Sequence, residues 1–149
     1  MHLLVTGANG YIGLRLLPAL LEAGHRVTAM VRDRRRFPLD EFARAGDRLR
    51  LLEGDFLDPE SLPAFPEDVD AAYYLLHSMG GGGNFADREQ RVARNFVARL
   101  KTTRCSRIVY LSGLIPEGEE LSDHLASRLA VEDELREGEA KLTVLRASI

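Results

Sequence analysis

The chain has 149 residues, 20 basic against 23 acidic side chains and a formal charge of −3, with 45% hydrophobic and 29% charged residues. That is room for one domain able to bury about 68–70% of its unfolded surface, and the ordinary composition excludes disordered, collagen-like and membrane-spanning classes. Mild acidity gives no basic footprint for nucleic acid, and a lone cysteine, Cys105, with no apolar leader before Gly7 makes the cytoplasm the expected location.

Six short, nearly continuous apolar runs alternate with segments of helical period, as in a parallel sheet covered on both faces. Residues 3–6 form the first predicted strand. Ile12, Leu16, Leu17, Leu20 and Leu21 then recur at helical spacing, and Gly24 supplies a left-handed helix stop. A second strand spans 27–31, a short helix 40–45 and a third strand 49–53. Asp58 and Pro59 predict the cap and first turn of another short helix over 58–64. The fourth strand covers 71–76. A longer helix follows, carrying Phe85, Val92, Ala93, Phe96, Val97 and Leu100 on its apolar face. After a fifth strand at 108–111, Ser122 caps a helix whose predicted stripe includes Leu125, Leu129 and Leu135. A sixth strand spans 142–145. Strict alternation of this kind predicts right-handed βαβ units and an open α/β sheet wound in both directions.

The first strand runs into Thr6-Gly7-Ala8-Asn9-Gly10-Tyr11-Ile12-Gly13. Three glycines at spacing three meet three demands: a tight turn, close approach of backbone N–H groups to a pyrophosphate, and close packing of helix on strand. Ala8 stands where a G-x-G-x-x-G pattern has its first glycine, so the version here is GxxGxxG. The candidate cofactor contacts are Gly7, Asn9, Gly10, Tyr11, Ile12 and Gly13. The alternative is an ordinary strand-to-helix turn.

With this turn and His77-Ser78-Met79-Gly80 as its most specific stretches, the chain resembles the short-chain dehydrogenase/reductase superfamily in its extended or atypical branch. More narrowly it is similar to the NmrA-like and YbjT-like NAD(P)-binding proteins, which are often described as nucleoside-diphosphate-sugar epimerases. The resemblance runs from Thr6 to Ser148. It implies a Rossmann-type sheet of six strands in the order 3-2-1-4-5-6, with helices on both faces. It also implies that Asp55 meets the adenine amino group and Phe56 packs on the ring, and that Leu76, His77 and Ser78 line the nicotinamide ribose. Asp55 as a simple turn former and His77 as a structural histidine are the competing readings. Gly80 to Gly83 read as a flap over the cofactor or as a plain connector.

The second strand ends Val31-Arg32-Asp33-Arg34-Arg35-Arg36. An acid at that place binds the ribose 2′-OH of NAD, and an arginine accommodates the 2′-phosphate of NADP. Arg32 therefore favours NADP, while Asp33 keeps NAD open and the remaining arginines read as a solvated run.

Catalytic members of the superfamily pair a Ser after the fifth strand with Tyr-x-x-x-Lys on the next helix, where residues four apart share a face. Ser112 fits the serine. The four tyrosines are Tyr11, Tyr73, Tyr74 and Tyr110, the two lysines are Lys101 and Lys141, and no Tyr-x-x-x-Lys exists. His124 and Arg128 take the two places. An imidazole can exchange a proton near neutral pH, whereas a guanidinium cannot give one up. The pair thus implies altered chemistry in an oxidoreductase or epimerase-like enzyme acting on a small molecule. The alternative is a protein that senses or scaffolds NAD(P) without turning it over. A different doubly wound fold, such as a methyltransferase, is the weaker third reading. No metal site is expected. The C-terminal substrate region of the family is expected to be absent after Ile149. The sheet edge left at the sixth strand gives a reason to look for a homodimer or marginal stability.

Overall fold

A computed structural model describes residues 1–77, 85–114 and 122–147. Strands β1 (His2–Thr6), β2 (Arg26–Val31), β3 (Leu49–Glu53), β4 (Ala71–Tyr74), β5 (Arg107–Gly113) and β6 (Lys141–Ala147) form one sheet. All pairings are parallel and the order is β3-β2-β1-β4-β5-β6. Helices α1 (Tyr11–Glu22), α2 (Phe85–Leu100) and α3 (Asp123–Arg136) connect the strands, with 3₁₀ turns at Arg34–Arg36 and Leu39–Arg48 between β2 and β3. The expected doubly wound, Rossmann-type sheet is therefore present.

Side chains alternate across each strand, so the two faces have separate cores. Leu3, Val5, Val27 and Ala29 pack with Leu17, Leu20 and Leu21 of α1. Leu4, Met30, Tyr74, Ile108 and Tyr110 face Ala93, Phe96 and Val97 of α2 and Val131 and Leu135 of α3. The chain reverses winding direction between β1 and β4, and a crevice opens at the carboxyl ends of these strands.

Two local expectations are corrected. Residues 58–64 form no helix. The segment closes as turns, with Asp58 N–H donating to Asp55 C=O, Ser61 N–H to Asp58 C=O and Leu62 N–H to Pro59 C=O. Pro63 disfavours helical backbone at Leu62, and with Pro66 following it the favourable first turn has nowhere to propagate. In α3 the predicted stripe is displaced. Leu135 is buried, but Leu125 and Leu129 are only half-buried, while Ser127, Arg128, Val131 and Glu132 form the covered face. Ser122 does cap α3, its Oγ accepting from Leu125 N–H. Among the described residues no helix is long and apolar enough to cross a membrane.

Candidate functional site

The turn after β1 is held by its own backbone. Gly7 adopts φ +64°, its carbonyl accepts from Gly10 N–H at 2.9 Å, and Leu14 N–H closes onto Gly10 C=O at 2.9 Å. A Cβ on Gly7 would lie 2.7 Å from Leu75 O, and one on Gly13 2.6 Å from the carbonyl oxygens of both Gly7 and Ala8. No side chain at Gly10 caps α1 and no acid sits in its first turn. A helix start whose N–H groups lack a side-chain partner is suited to an anion. Tyr11 and Ile12 flank it, Tyr11 being 70% exposed, with the Arg15 guanidinium 3.6 Å above its ring.

A cleft of about 250 Å³ opens beside this turn. Gly7, Asn9 and Gly10 form its floor, Met30, Val31 and Arg32 one wall, and residues 54–57 continue that wall past β3. Tyr74, Leu75, Leu76 and His77 from the end of β4 face them, and Arg88, Glu89 and Val92 of α2 close the far side. The structure thus brings Gly7, Asn9, Gly10, Arg32, Asp55, Phe56, Leu76 and His77 to one cleft. Gly13 lies buried beneath it. Ser78 and the run Gly80 to Gly83 lie outside the described residues.

Each wall residue has a physical setting. Arg32 is exposed and, among the described residues, makes no hydrogen bond or ion pair. Asp33 instead caps the following turn: Oδ1 accepts from Arg35 N–H and Nε–H, both at 3.0 Å, and Oδ2 from Nη2 at 3.1 Å. Those bonds from Arg35 hold the Asp33 carboxyl below its ordinary range. Asp55 Oδ1 accepts from Leu57 N–H at 2.9 Å, so it does form a turn while facing the cleft. Phe56 is buried, its ring meeting Phe65 and Phe96 edge-on.

Behind the β4 wall is a polar group in an otherwise apolar core. Arg128 is only 4% exposed. Its Nη1 contacts His77 Nδ1 and lies 3.0 Å from His77 Nε2, and its Nη2 is 3.3 Å from His124 Nε2. Arg128 and Ser112 lie near the Tyr110 hydroxyl and oppose the upward push that burial gives its pKa. Tyr110 Oη, Ser112 Oγ and Arg128 Nε are buried without a hydrogen-bond partner. Glu89 is also buried and accepts from Ser127 Oγ at 2.6 Å. Burial first, then the charges of Arg128 and His124, lower the His77 pKa to about 4. His77 is therefore a neutral imidazole at physiological pH.

Sequence reasoning missed Glu89 and Arg88. A signal for Glu89 existed: it stands one turn after Phe85 and one before Ala93, where the helix face otherwise wants an apolar residue. A further expectation follows from the orphaned hydroxyl. Ser112→Ala should leave stability unchanged or raise it by up to about 1 kcal/mol, because an unsatisfied buried group is removed. Urea unfolding checks this, and a loss above about 1 kcal/mol would show that Ser112 has a partner.

Comparison with known proteins places this geometry. A family model described as NAD(P)H-binding matches residues 7–149. A 2-alkyl-3-oxoalkanoate reductase of Stenotrophomonas maltophilia (strain K279a) is 29% identical over 115 residues, covering 75% of this chain and 33% of that protein. A second reductase of that name, from Shewanella oneidensis, is 27% identical over 117 residues, covering 74% and 28%. The chain thus spans about a third of the length of these relatives. Among solved structures, a UDP-glucuronic acid 4-epimerase from Bacillus cereus in complex with NAD superimposes with TM-score 0.75 at 21% identity, covering 98% of this chain and 56% of that one. A nucleoside-diphosphate-sugar epimerase from Staphylococcus aureus gives TM-score 0.78 at 14% identity, covering 98% and 50%. At these identities the likeness is one of fold.

Proposed function

The chain belongs to the NAD(P)H-binding family, and from that premise we propose that it is the cofactor-binding part of an atypical, NmrA-like short-chain dehydrogenase/reductase with a preference for NADP. The observation that carries this reading is the uncapped start of α1 over the glycine turn, opening on a cleft whose β2 wall ends in an unengaged Arg32. The glycine cradle fits a dinucleotide because only backbone can approach that closely there. Bound there, a nicotinamide dinucleotide supplies hydride exchange. The backbone N–H groups at the start of α1 would hold its pyrophosphate, and Arg32 a 2′-phosphate. Asp55 and Phe56 would hold the adenine end and Leu76, His77 and Ser78 the nicotinamide ribose. The preference for NADP is supported on both sides: Arg32 is free to meet a phosphate, while both Asp33 oxygens are engaged by Arg35.

In this reading the whole protein is an oxidoreductase or epimerase-like enzyme acting on a small molecule in the cytoplasm, with a homodimer as its assembly. Ser112 and the exposed His124, neither of which lines the cleft, would be the groups that bind and protonate a substrate carbonyl. One observation favours the second reading, a non-catalytic sensor or scaffold. Arg128, in the place of the catalytic lysine, is buried and is absent from the cleft wall.

Titration of NADPH and NADH followed by nicotinamide emission tests the proposal, with little protein background because the chain has no Trp. Binding of neither at millimolar concentration would sink it. Arg32→Ala should weaken NADPH about 10- to 100-fold, as for loss of a charge-assisted hydrogen bond worth about 1.5–3 kcal/mol. NADH should change little, and equal weakening of both would remove the case for NADP. Turnover of carbonyl substrates that survives His124→Ala would rule out His124 as the proton donor.

A further inference from the structure

We propose that Asn95 is a positioning residue for the adenine end of the cofactor: by tying the Phe56 carbonyl to α2 it fixes the Asp55 carboxylate, and so the preference of the cleft for a base with an exocyclic amino group. This rests on the cofactor-binding reading above, in which Asp55 meets that amino group. Asn95 itself is absent from the cleft wall.

The wall at residues 54–57 lies just past the end of β3 and belongs to no helix or strand. Gly54 N–H still reaches Val31 C=O of β2 at 3.0 Å. Beyond it the backbone is held by local turns, Leu57 N–H on Asp55 Oδ1 and Asp58 N–H on Asp55 C=O, both at 2.9 Å. Turns this short do little to offset the entropy of ordering the chain, so the segment depends on what it packs against. That is α2. Asn95 Nδ2–H donates to Phe56 C=O at 2.7 Å, and the next residue, Phe96, meets the Phe56 ring edge-on at 5.9 Å. Two consecutive residues of one helix thus grip the backbone and the ring of one wall residue. One turn on, Arg99 Nη2–H donates to Pro59 C=O at 3.0 Å.

Spacing along α2 makes this tie a matter of cleft width. Val92 and Asn95 are three residues apart and Asn95 and Arg99 four, so all three lie on one side of the helix. Val92 lines the far side of the cleft and residues 55–57 the near side. The Asn95 amide therefore joins the helix of one side to the backbone of the other. Its hold on Asp55 is close, because Phe56 is the next residue in the chain and Leu57 N–H engages Asp55 Oδ1 from beyond it. That leaves Oδ2 as the oxygen with all its lone pairs open to a ligand. A carboxylate accepts and cannot donate. An oxygen held in this place favours an amino group, as on adenine, over an exocyclic oxygen, as on hypoxanthine. A wall displaced by about 1 Å would lose that discrimination, since it depends on one oxygen meeting one N–H.

The test is titration of wild type and Asn95→Ala with NADPH and with its hypoxanthine analogue, together with amide hydrogen exchange of the cofactor-free proteins. Wild type should bind NADPH at least about tenfold more tightly than the analogue. In Asn95→Ala, NADPH affinity should fall about tenfold and the two affinities should come within about threefold of each other. Exchange at Leu57 and Asp58 should quicken about tenfold more than at Val5 inside β1, which reports global opening. Asn95→Leu keeps the volume without the donor and gives the same test if the alanine variant fails to fold. Arg99→Met removes the tie to Pro59, which does not line the cleft, and should keep the wild-type ratio of affinities. An Asn95 that served only stability would speed exchange alike at all three amides and leave the ratio unchanged, and either result would overturn the proposal. So would a wild type that binds both dinucleotides equally, or loss of the ratio in Arg99→Met. A wild type that binds neither would overturn the cofactor reading and the base preference with it, while the exchange pattern decides the tie of Asn95 to the wall independently.

Discussion

Gly13→Ala should cost about 3 kcal/mol of stability and weaken nicotinamide binding on the order of a hundredfold, the scale associated with a misplacement of about 1 Å. Gly13 is inside α1, so helix propensity alone would favour alanine by about 1 kcal/mol. The contacts point the other way and are larger. The new Cβ would lie 2.6 Å from two carbonyl oxygens and 2.8 Å from a carbonyl carbon, all backbone atoms of Gly7 and Ala8. No side-chain rotation relieves such a clash, so the turn or the helix must move, and the N–H cradle moves with it. Gly24→Ala is the control. Gly24 has φ +80° but nothing within 4 Å of its added Cβ. It should lose about 1–2 kcal/mol through backbone strain and leave cofactor binding unchanged. Denaturant unfolding and NADPH titration of both variants decide the matter. Gly13→Ala with cofactor affinity like that of Gly24→Ala would show that the cradle tolerates a side chain.

Arg146→Met should destabilise the fold by about 3 kcal/mol, more than Glu132→Gln does. Glu132 on α3 is 1% exposed in its side chain, and Arg146 on β6 is 36% exposed. The two form a bidentate pair, Nη1 to Oε1 at 2.7 Å and Nη2 to Oε2 at 2.9 Å, and Arg136 adds a bond at 3.2 Å. Removing one partner of a buried pair strands the other. The asymmetry of exposure says which loss is worse. A stranded Arg146 can turn to water, but a stranded Glu132 cannot and keeps only the longer bond from Arg136. Replacing both by apolar residues should recover much of the loss. Urea unfolding of the single and double variants tests this, and equal losses for the two single variants would refute the argument. The pair joins α3 to the edge strand, so it also supports the helix that carries Arg128 and His124.

The sheet was legible because each strand is a short apolar run, and the direction of its connections follows from the alternating helices. Strand ends shifted by at most two residues, since pairing to a neighbour extends or trims a run that composition leaves open. The glycine turn was legible to the residue, as was Arg32, because both express local demands: a tight turn and a cation at a strand end. The helix expected at residues 58–64 failed because a good start at Asp58 and Pro59 says nothing about the two prolines that follow.

The buried polar residues were the part that sequence reasoning did not reach. Glu89, Arg128 and Glu132 each interrupt a helical apolar stripe, which marks them as unusual without saying what they meet. Their partners are distant in the chain: Ser127 is 38 residues from Glu89, and His77 is 51 residues from Arg128. By itself the sequence determined the α/β alternation, the glycine turn and the lack of Tyr-x-x-x-Lys, all of which are written in neighbours a few residues apart. Only the tertiary structure decided that Arg128 lies buried against His77 and His124 and outside the cleft wall, and that Glu132 is sealed against Arg146. Both depend on how α3 packs beside α2 on the sheet. A buried charge can settle there only once the fold has brought a partner within hydrogen-bonding distance.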